Sequence, residues 1–236
     1  MQSALACPDY PKIELGLGYQ FRNRELLKQA LSPPSAGLPL DNQRLEFFGD
    51  SVLNLCTTRL VYSAHQDWKE GPLTRLRGKI VSTASLCDWA KDLKIVLEPG
   101  PRSSKKQRIS PKELADAMEA LLAAVLLDSE EAGEDGLAQA LAIIERRFGR
   151  AIRTAGINDW EQDDPKTALQ EKVVALGWEP PVYDMIEKTG SEHAPIFVCS
   201  VKAGKYTATA QGPTKKNAEM NAAMQVLKIV MESMRP

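Results

Sequence analysis

This chain of 236 residues has little of what soft-metal sites and nucleophilic triads require: two histidines, His65 and His193, and four cysteines. Cys7, Cys56, Cys87 and Cys199 are scattered with no close pair, which argues against a zinc site and for a reducing, cytoplasmic setting. No apolar run is long enough to span a membrane, since the stretch Leu121 to Leu127 stops at Asp128. The opening residues Met1-Gln2-Ser3-Ala4 lack the basic-then-apolar pattern of a secretory signal. Positive charge is not in excess either: the formal net charge is −1, and neither the first 160 residues nor the remainder is basic. Contact with nucleic acid must therefore come from local clusters rather than an overall field. Repeats and low-complexity segments are absent.

What the chain does have is carboxylates set in apolar helices. The stretch Arg44-Leu45-Glu46-Phe47-Phe48-Gly49-Asp50-Ser51-Val52-Leu53 holds Glu46 and Asp50 at i, i+4 spacing. Leu114-Ala115-Asp116-Ala117-Met118-Glu119-Ala120-Leu121-Leu122 holds Asp116 and Glu119 at i, i+3 spacing. Each pair projects from one helix face, where like charges repel and burial is costly. Acidic pairs at this spacing usually mark a solvated face. Here Asp116 and Glu119 are the only polar residues between Leu114 and Leu127, so packing of the two helices on each other is expected, with four carboxylates brought to one point. Oxygen ligands without histidine or cysteine select magnesium or manganese.

Up to about residue 158 the pattern is helical. Leu26, Leu27, Ala30 and Leu31 form a helix stopped by Pro33-Pro34. Arg44–Tyr62 reads as a long, largely buried helix. Further helices follow around Leu73–Val81 and Leu86–Leu93, in the second carboxylate stretch, and from Leu137 to near Gly149. Arg102–Arg108 reads as a basic loop. After a polar joint at Gln162-Asp163-Asp164-Pro165, a helix Lys166–Leu176 ends at Gly177. Tyr183–Lys188, Ile196–Lys202 and Lys205–Gln211 alternate as strands, with Ala203-Gly204 as a turn, and Gly212-Pro213-Thr214 opens a last helix through Val230. The expected fold is an all-α domain over 11–150, a linker over 151–162, and a small α+β domain, α-β-β-β-α, over 163–232.

Gln43-Arg44-Leu45-Glu46-Phe47-Phe48-Gly49-Asp50-Ser51 resembles the nine-residue motif of the ribonuclease III family, and Leu114–Leu121 resembles its second acidic motif. Leu17-Gly18-Tyr19-Gln20-Phe21 is similar to the family's opening. The resemblance covers nearly the whole chain in the family's domain order, and it is to the bacterial type. It implies an endoribonuclease that cleaves double-stranded RNA by Mg2+-dependent hydrolysis, Mn2+ substituting, to leave 5′-phosphate and 3′-hydroxyl ends. By position it implies Glu46, Asp116 and Glu119 as metal ligands, and Asp50 and Glu119 as catalytic residues, Asp50 holding the metal through water. It also implies a homodimer, with Phe47 and Glu70 at the contact, and roles in processing ribosomal-precursor, messenger and transfer RNA. Without the resemblance, Phe47 reads as a core aromatic and Glu70 as a loop start. Two departures stand out: Gln43 replaces the family's usual Glu, and Ser32-Pro33-Pro34-Ser35 replaces its Thr-His-x-Ser.

Residues 163–232 resemble a double-stranded-RNA-binding domain, a fold that reads A-form shape through minor-groove and phosphate contacts. The resemblance places Thr167 and Gln170 on its first helix, His193 in the loop between its first two strands, and Lys215 and Lys216 at the start of its last helix. Gln170 is suited to donate to a ribose 2′-hydroxyl. Lysines in a first helical turn oppose the helix dipole, which makes sense where phosphate docks on the same N–H groups. The plainer alternatives are a packed or surface His193 and a solvated basic turn at Lys215-Lys216. Arg102, Lys105, Lys106 and Arg108 are either further phosphate contacts or a charged loop. Two rival functions compete: a non-catalytic RNA-binding protein that keeps this fold, and an all-α hydrolase of small phosphates with an accessory tail. Four retained carboxylates oppose the first, and an RNA-reading tail opposes the second.

Overall fold

The computed structural model describes residues 7–103, 109–157, 164–191 and 194–234. They fall into two compact units, residues 1–155 and 156–236. The first unit is helical: α1 (Tyr10–Leu17), α2 (Arg24–Ala30), a 3-10 turn (Pro34–Ala36), α3 (Gln43–Ala64), α4 (Glu70–Ile80), α5 (Thr83–Asp92), α6 (Pro111–Glu131) and α7 (Gly136–Thr154). The second adds α8 (Pro165–Ala175), strands β1 (Val182–Ser191), β2 (Ala194–Ala203) and β3 (Tyr206–Gly212), and α9 (Lys215–Ser233). The helical domain and the α-β-β-β-α domain are those expected. Among the described residues, no helix is long and apolar enough to cross a membrane.

Helix α6 is the axis of the first unit, packed by α2, α3, α5 and α7. A helix that is apolar all round belongs in a core, and Ala117, Met118 and Ala120 through Val125 are fully buried. Its start is fixed by a capping box between Ser110 and Glu113, with Pro111 in the first turn. The largest contact of α6 is with α3, and there the backbones nearly touch: a Cβ on Gly49 would lie 1.8 Å from the Glu119 carbonyl oxygen. Gly49 is thus the residue that permits the crossing.

The structure departs from expectation in three places. Helix α3 is not largely buried, for Phe47 is 80% exposed and Leu55 and Tyr62 also face solvent, so Phe47 is no core aromatic. Helix α7 continues past Gly149 to Thr154, because Phe148 and Ile152 extend its buried face. In the second unit the turn is Gly204-Lys205 rather than Ala203-Gly204: Ala203 ends β2 paired with Tyr206, while Gly204 takes φ +57° against the Trp178 ring.

The second unit is an antiparallel sheet in the order β1-β2-β3, with a register irregularity between Met185 and Glu187. Leu169 and Val173 of α8, Val201 and Ala203 of β2, and Ala222, Val226 and Val230 of α9 form its separate core. Asp164 caps α8 and Thr214 caps α9, each accepting from a backbone amide three residues on.

Candidate metal centre and RNA-binding surface

Where α3 crosses α6, one carboxylate oxygen from each of Glu46, Asp116 and Glu119 lies within 4.8 Å of the others. The spacing on each helix aims the side chains at the crossing, and Gly49 lets the helices approach closely enough for them to meet. Asp50, exposed, stands outside this trio. Its Oδ1 accepts from Asn54 Nδ2 at 2.9 Å, and its charge acts on Glu119. Burial pushes the Glu119 carboxyl up to about 7, and the charges of Asp50, Asp116 and Glu46 push in the same direction. This is a half-buried carboxyl short of positive charge.

One cation already reaches the cluster. Lys112 Nζ lies 2.7 and 2.8 Å from the Asp116 oxygens and 3.5 Å from Glu46 Oε1. The hydrogen bond to Asp116 raises the ammonium's pKa. The i, i+4 spacing of Lys112 and Asp116 was visible in the sequence, but the reach to Glu46 on another helix was not.

The trio fits a small hard cation. All donors are carboxylate oxygens, and a spread of 4.8 Å is little more than the ~4.2 Å across an octahedral magnesium shell.

A second buried carboxylate on α6 escaped the sequence reading. Asp128 Oδ2 accepts from the Tyr19 hydroxyl at 2.6 Å and the Arg22 amide at 3.1 Å, and Oδ1 from the Asn23 amide at 2.7 Å. Burial alone would raise its pKa, but the bonds from Tyr19, Asn23 and Arg22 outweigh burial and hold it below the usual range. Asp128 pins the chain between α1 and α2. A polar residue ending a long apolar run was the one available signal.

On the second unit, Thr167 and Gln170 are exposed on α8, and Lys215 and Lys216 are exposed as the first two residues of α9. The Thr167 hydroxyl donates to Asp164 Oδ2 at 2.6 Å, so its proton is committed to the cap and only its lone pairs face outward. His193 lies outside the described residues, as do Lys105, Lys106 and Arg108. Arg102 is described, and its Nη2 lies 3.4 Å from the Pro34 carbonyl, against the turn before α3.

Residues 43–130 match the ribonuclease III domain family, and residues 165–230 match the double-stranded RNA binding motif. Ribonuclease 3 of Rickettsia prowazekii is 35% identical over 228 residues, covering 92% of this chain and 97% of that protein. The chain belongs to the ribonuclease III family. Ribonuclease 3 of Helicobacter pylori strain J99 is 36% identical over 239 residues, covering 98% of this chain and 96% of its own. Among solved structures, the nuclease domain of ribonuclease III from Campylobacter jejuni superposes with a TM-score of 0.51 at 30% identity. It covers 60% of this chain and 99% of that one, and it is described as flexible in a region involved in dimer formation. Membership of that family makes the protein a hydrolytic endoribonuclease, here with a double-stranded-RNA-binding domain.

The departures from the usual ribonuclease III pattern now have locations. Gln43 is the exposed first residue of α3, one turn before Glu46. Ser35, from the divergent Ser32–Ser35 segment, donates to Glu113 Oε1 at 2.7 Å and so braces the start of α6. Glu70 opens α4 and accepts from the Thr74 hydroxyl at 2.7 Å.

Proposed function

We propose that this ribonuclease III cleaves RNA duplexes at the α3–α6 crossing, with Glu46, Asp116 and Glu119 holding a divalent ion, magnesium or in its place manganese. The observation that carries the reading is the carboxylate trio drawn from two helices, with Glu119 pushed up to about 7 by burial and by the negative charges of Asp50, Asp116 and Glu46. A divalent ion held by these three carboxylates would supply positive charge there, and with it the capacity to acidify water and to offset negative charge on a phosphodiester. Glu119, the member with the raised pKa, is the one whose ionisation depends most on such an ion. Asp50 adds negative charge beside it and, in this reading, orients water from the exposed side. Cleavage at the O3′ side leaves a 5′-phosphate and a 3′-hydroxyl.

In the second unit, which follows the end of α7 at Thr154, Lys215 and Lys216 pair with phosphates at the start of α9. Gln170, Thr167 and His193 contact the minor groove. The exposed apolar residues Phe47, Leu55 and Tyr62 on α3 suit a second copy of the chain, and we assign Phe47 and Glu70 to the contact of a homodimer. Cleavage of ribosomal-precursor, messenger and transfer RNA in the cytoplasm is the setting that this duplex specificity suits.

The test is incubation of a long RNA duplex with and without magnesium, with single-stranded RNA as control and Glu119→Gln beside the native protein. Magnesium-dependent cutting of the duplex alone is expected, with Glu119→Gln binding the duplex undiminished but not cutting it. A Glu119→Gln protein that cut at the native rate would remove the site assignment. Duplex binding by the native protein with no cutting in magnesium would point instead to a non-catalytic reader that keeps the fold.

A further inference from the structure

Lys112 is not one of the proposed ligands, yet its ammonium reaches two of them from the solvent side of the site. It bridges α6 and α3 by contacting Asp116 and Glu46 together. Its place in the chain is electrostatically poor, because it is the second residue of α6, where the helix dipole disfavours a cation. The capping box of Ser110 and Glu113 already secures that turn, so the local helix gains nothing from a lysine there. What favours it is the carboxylate cluster one turn on.

Exposure separates this cation from its partners. The Lys112 side chain is 71% exposed, against 28% for Glu46 and 19% for Asp116. The ammonium therefore enters the cluster from solvent, on a flexible stem that withdraws without disturbing packing. Lysine suits such an exchange better than arginine, since a compact ammonium leaves no bidentate fork behind. Withdrawal also releases side-chain entropy, which offsets part of the lost attraction.

We propose that Lys112 is a tethered counter-ion of the carboxylate centre: it holds Glu46 and Asp116 together in the metal-free protein, and a divalent ion takes the site by displacing it. The proposal rests on the metal reading of the trio. A single ammonium leaves the four carboxylates with an excess of negative charge, so a divalent ion still wins the exchange. Exposed ion pairs are weak, so the competition lowers metal affinity only about threefold to fivefold.

Manganese titration by calorimetry without RNA, paired with melting of the metal-free protein, separates the outcomes. The proteins are native, Lys112→Gln, Lys112→Arg and Glu119→Gln. Lys112→Gln is expected to bind manganese about threefold to fivefold more tightly than native. It should also melt lower without metal and lose that deficit at saturating manganese. Lys112→Arg should keep the metal-free melting temperature, because the charge remains. Equal manganese affinity in native and Lys112→Gln proteins overturns the proposal, as does tighter binding with no change in metal-free melting, the signature of a bystander charge. If Glu119→Gln binds manganese as native does, the trio is not the metal site, and both readings fall.

Discussion

Helix α6 carries Glu119 and Asp128 on one continuous buried run, yet their surroundings drive them apart. Asp128 receives a hydroxyl and two backbone amides, and its pKa lies below the usual range. Glu119 faces Asp50, Asp116 and Glu46, and its pKa climbs to about 7. Both are desolvated; only one has been given donors. A carboxylate buried among donors is part of the scaffold. One left among like charges at a helix crossing lacks positive charge, which the chain itself supplies only in part, through Lys112.

The largest effect is expected at Asp128. Asp128→Ala leaves the Tyr19 hydroxyl proton and the amides of Arg22 and Asn23 without their acceptor, and should cost about 3 kcal/mol or more of folding stability in urea melts. Cleavage per folded molecule should remain near native. If stability held and cleavage fell instead, Asp128 would belong with Glu119 rather than opposite it. Gly49→Ala comes next. The added methyl meets the Glu119 carbonyl, so the helices must separate, at about 1–3 kcal/mol of stability and with the trio spread apart. Both melting temperature and manganese affinity should drop. A fall in stability with unchanged metal uptake would show that close crossing is not what assembles the trio.

The two carboxyls also predict opposite pH behaviour in metal-free protein. Asp128 has a depressed folded pKa, so its stabilisation is present above the unfolded value and fades as pH falls through the folded one. Glu119 rises from 4.5 to about 7, so it is neutral in both states in acid, and its penalty grows as pH passes from 4.5 through 7. Glu119→Gln removes that penalty. It should raise the metal-free melting temperature at pH 8 by about 2–4 °C and leave it unchanged at pH 4. An equal rise at both pH values would mean that packing, not charge, is responsible.

The sequence carried the periodic information and lost the rest. Acidic pairs at helical spacing, a cap before Pro165 and three strand segments are local patterns, and each is present in the structure, although β1 does not alternate between buried and exposed residues. The reach of Lys112 to Glu46, the contact of Gly49 with Glu119 and the donors around Asp128 join residues far apart in the chain, and no local period encodes them. Apolar content misled at α3 for a related reason. Leu45, Val52 and Leu53 are buried while Phe47, Leu55 and Tyr62 face outward, and composition alone does not say which face lacks a partner.

The smallest effect concerns the brace at the other end of α6. Ser35 comes from the segment that departs from the family's usual pattern, and its hydroxyl donates to Glu113, the carboxylate of the capping box. Glu113 thus resembles Asp128 in kind: burial would raise it, but bonds from Ser35 and from the Ser110 amide and hydroxyl hold it low. It sits one turn before Asp116, close to the carboxylate trio, yet it is furnished with donors as Asp128 is. Ser35→Ala removes one of several donors to Glu113, so a loss of about 1 kcal/mol in urea melts is expected. Manganese affinity should stay within error of native, because the Ser110 bonds still fix the first turn. If Ser35→Ala weakened manganese binding as much as Gly49→Ala does, the divergent segment would be tuning the metal centre rather than bracing a helix end, and the division between donor-rich and donor-poor carboxylates on α6 would not hold at its N-terminal turn.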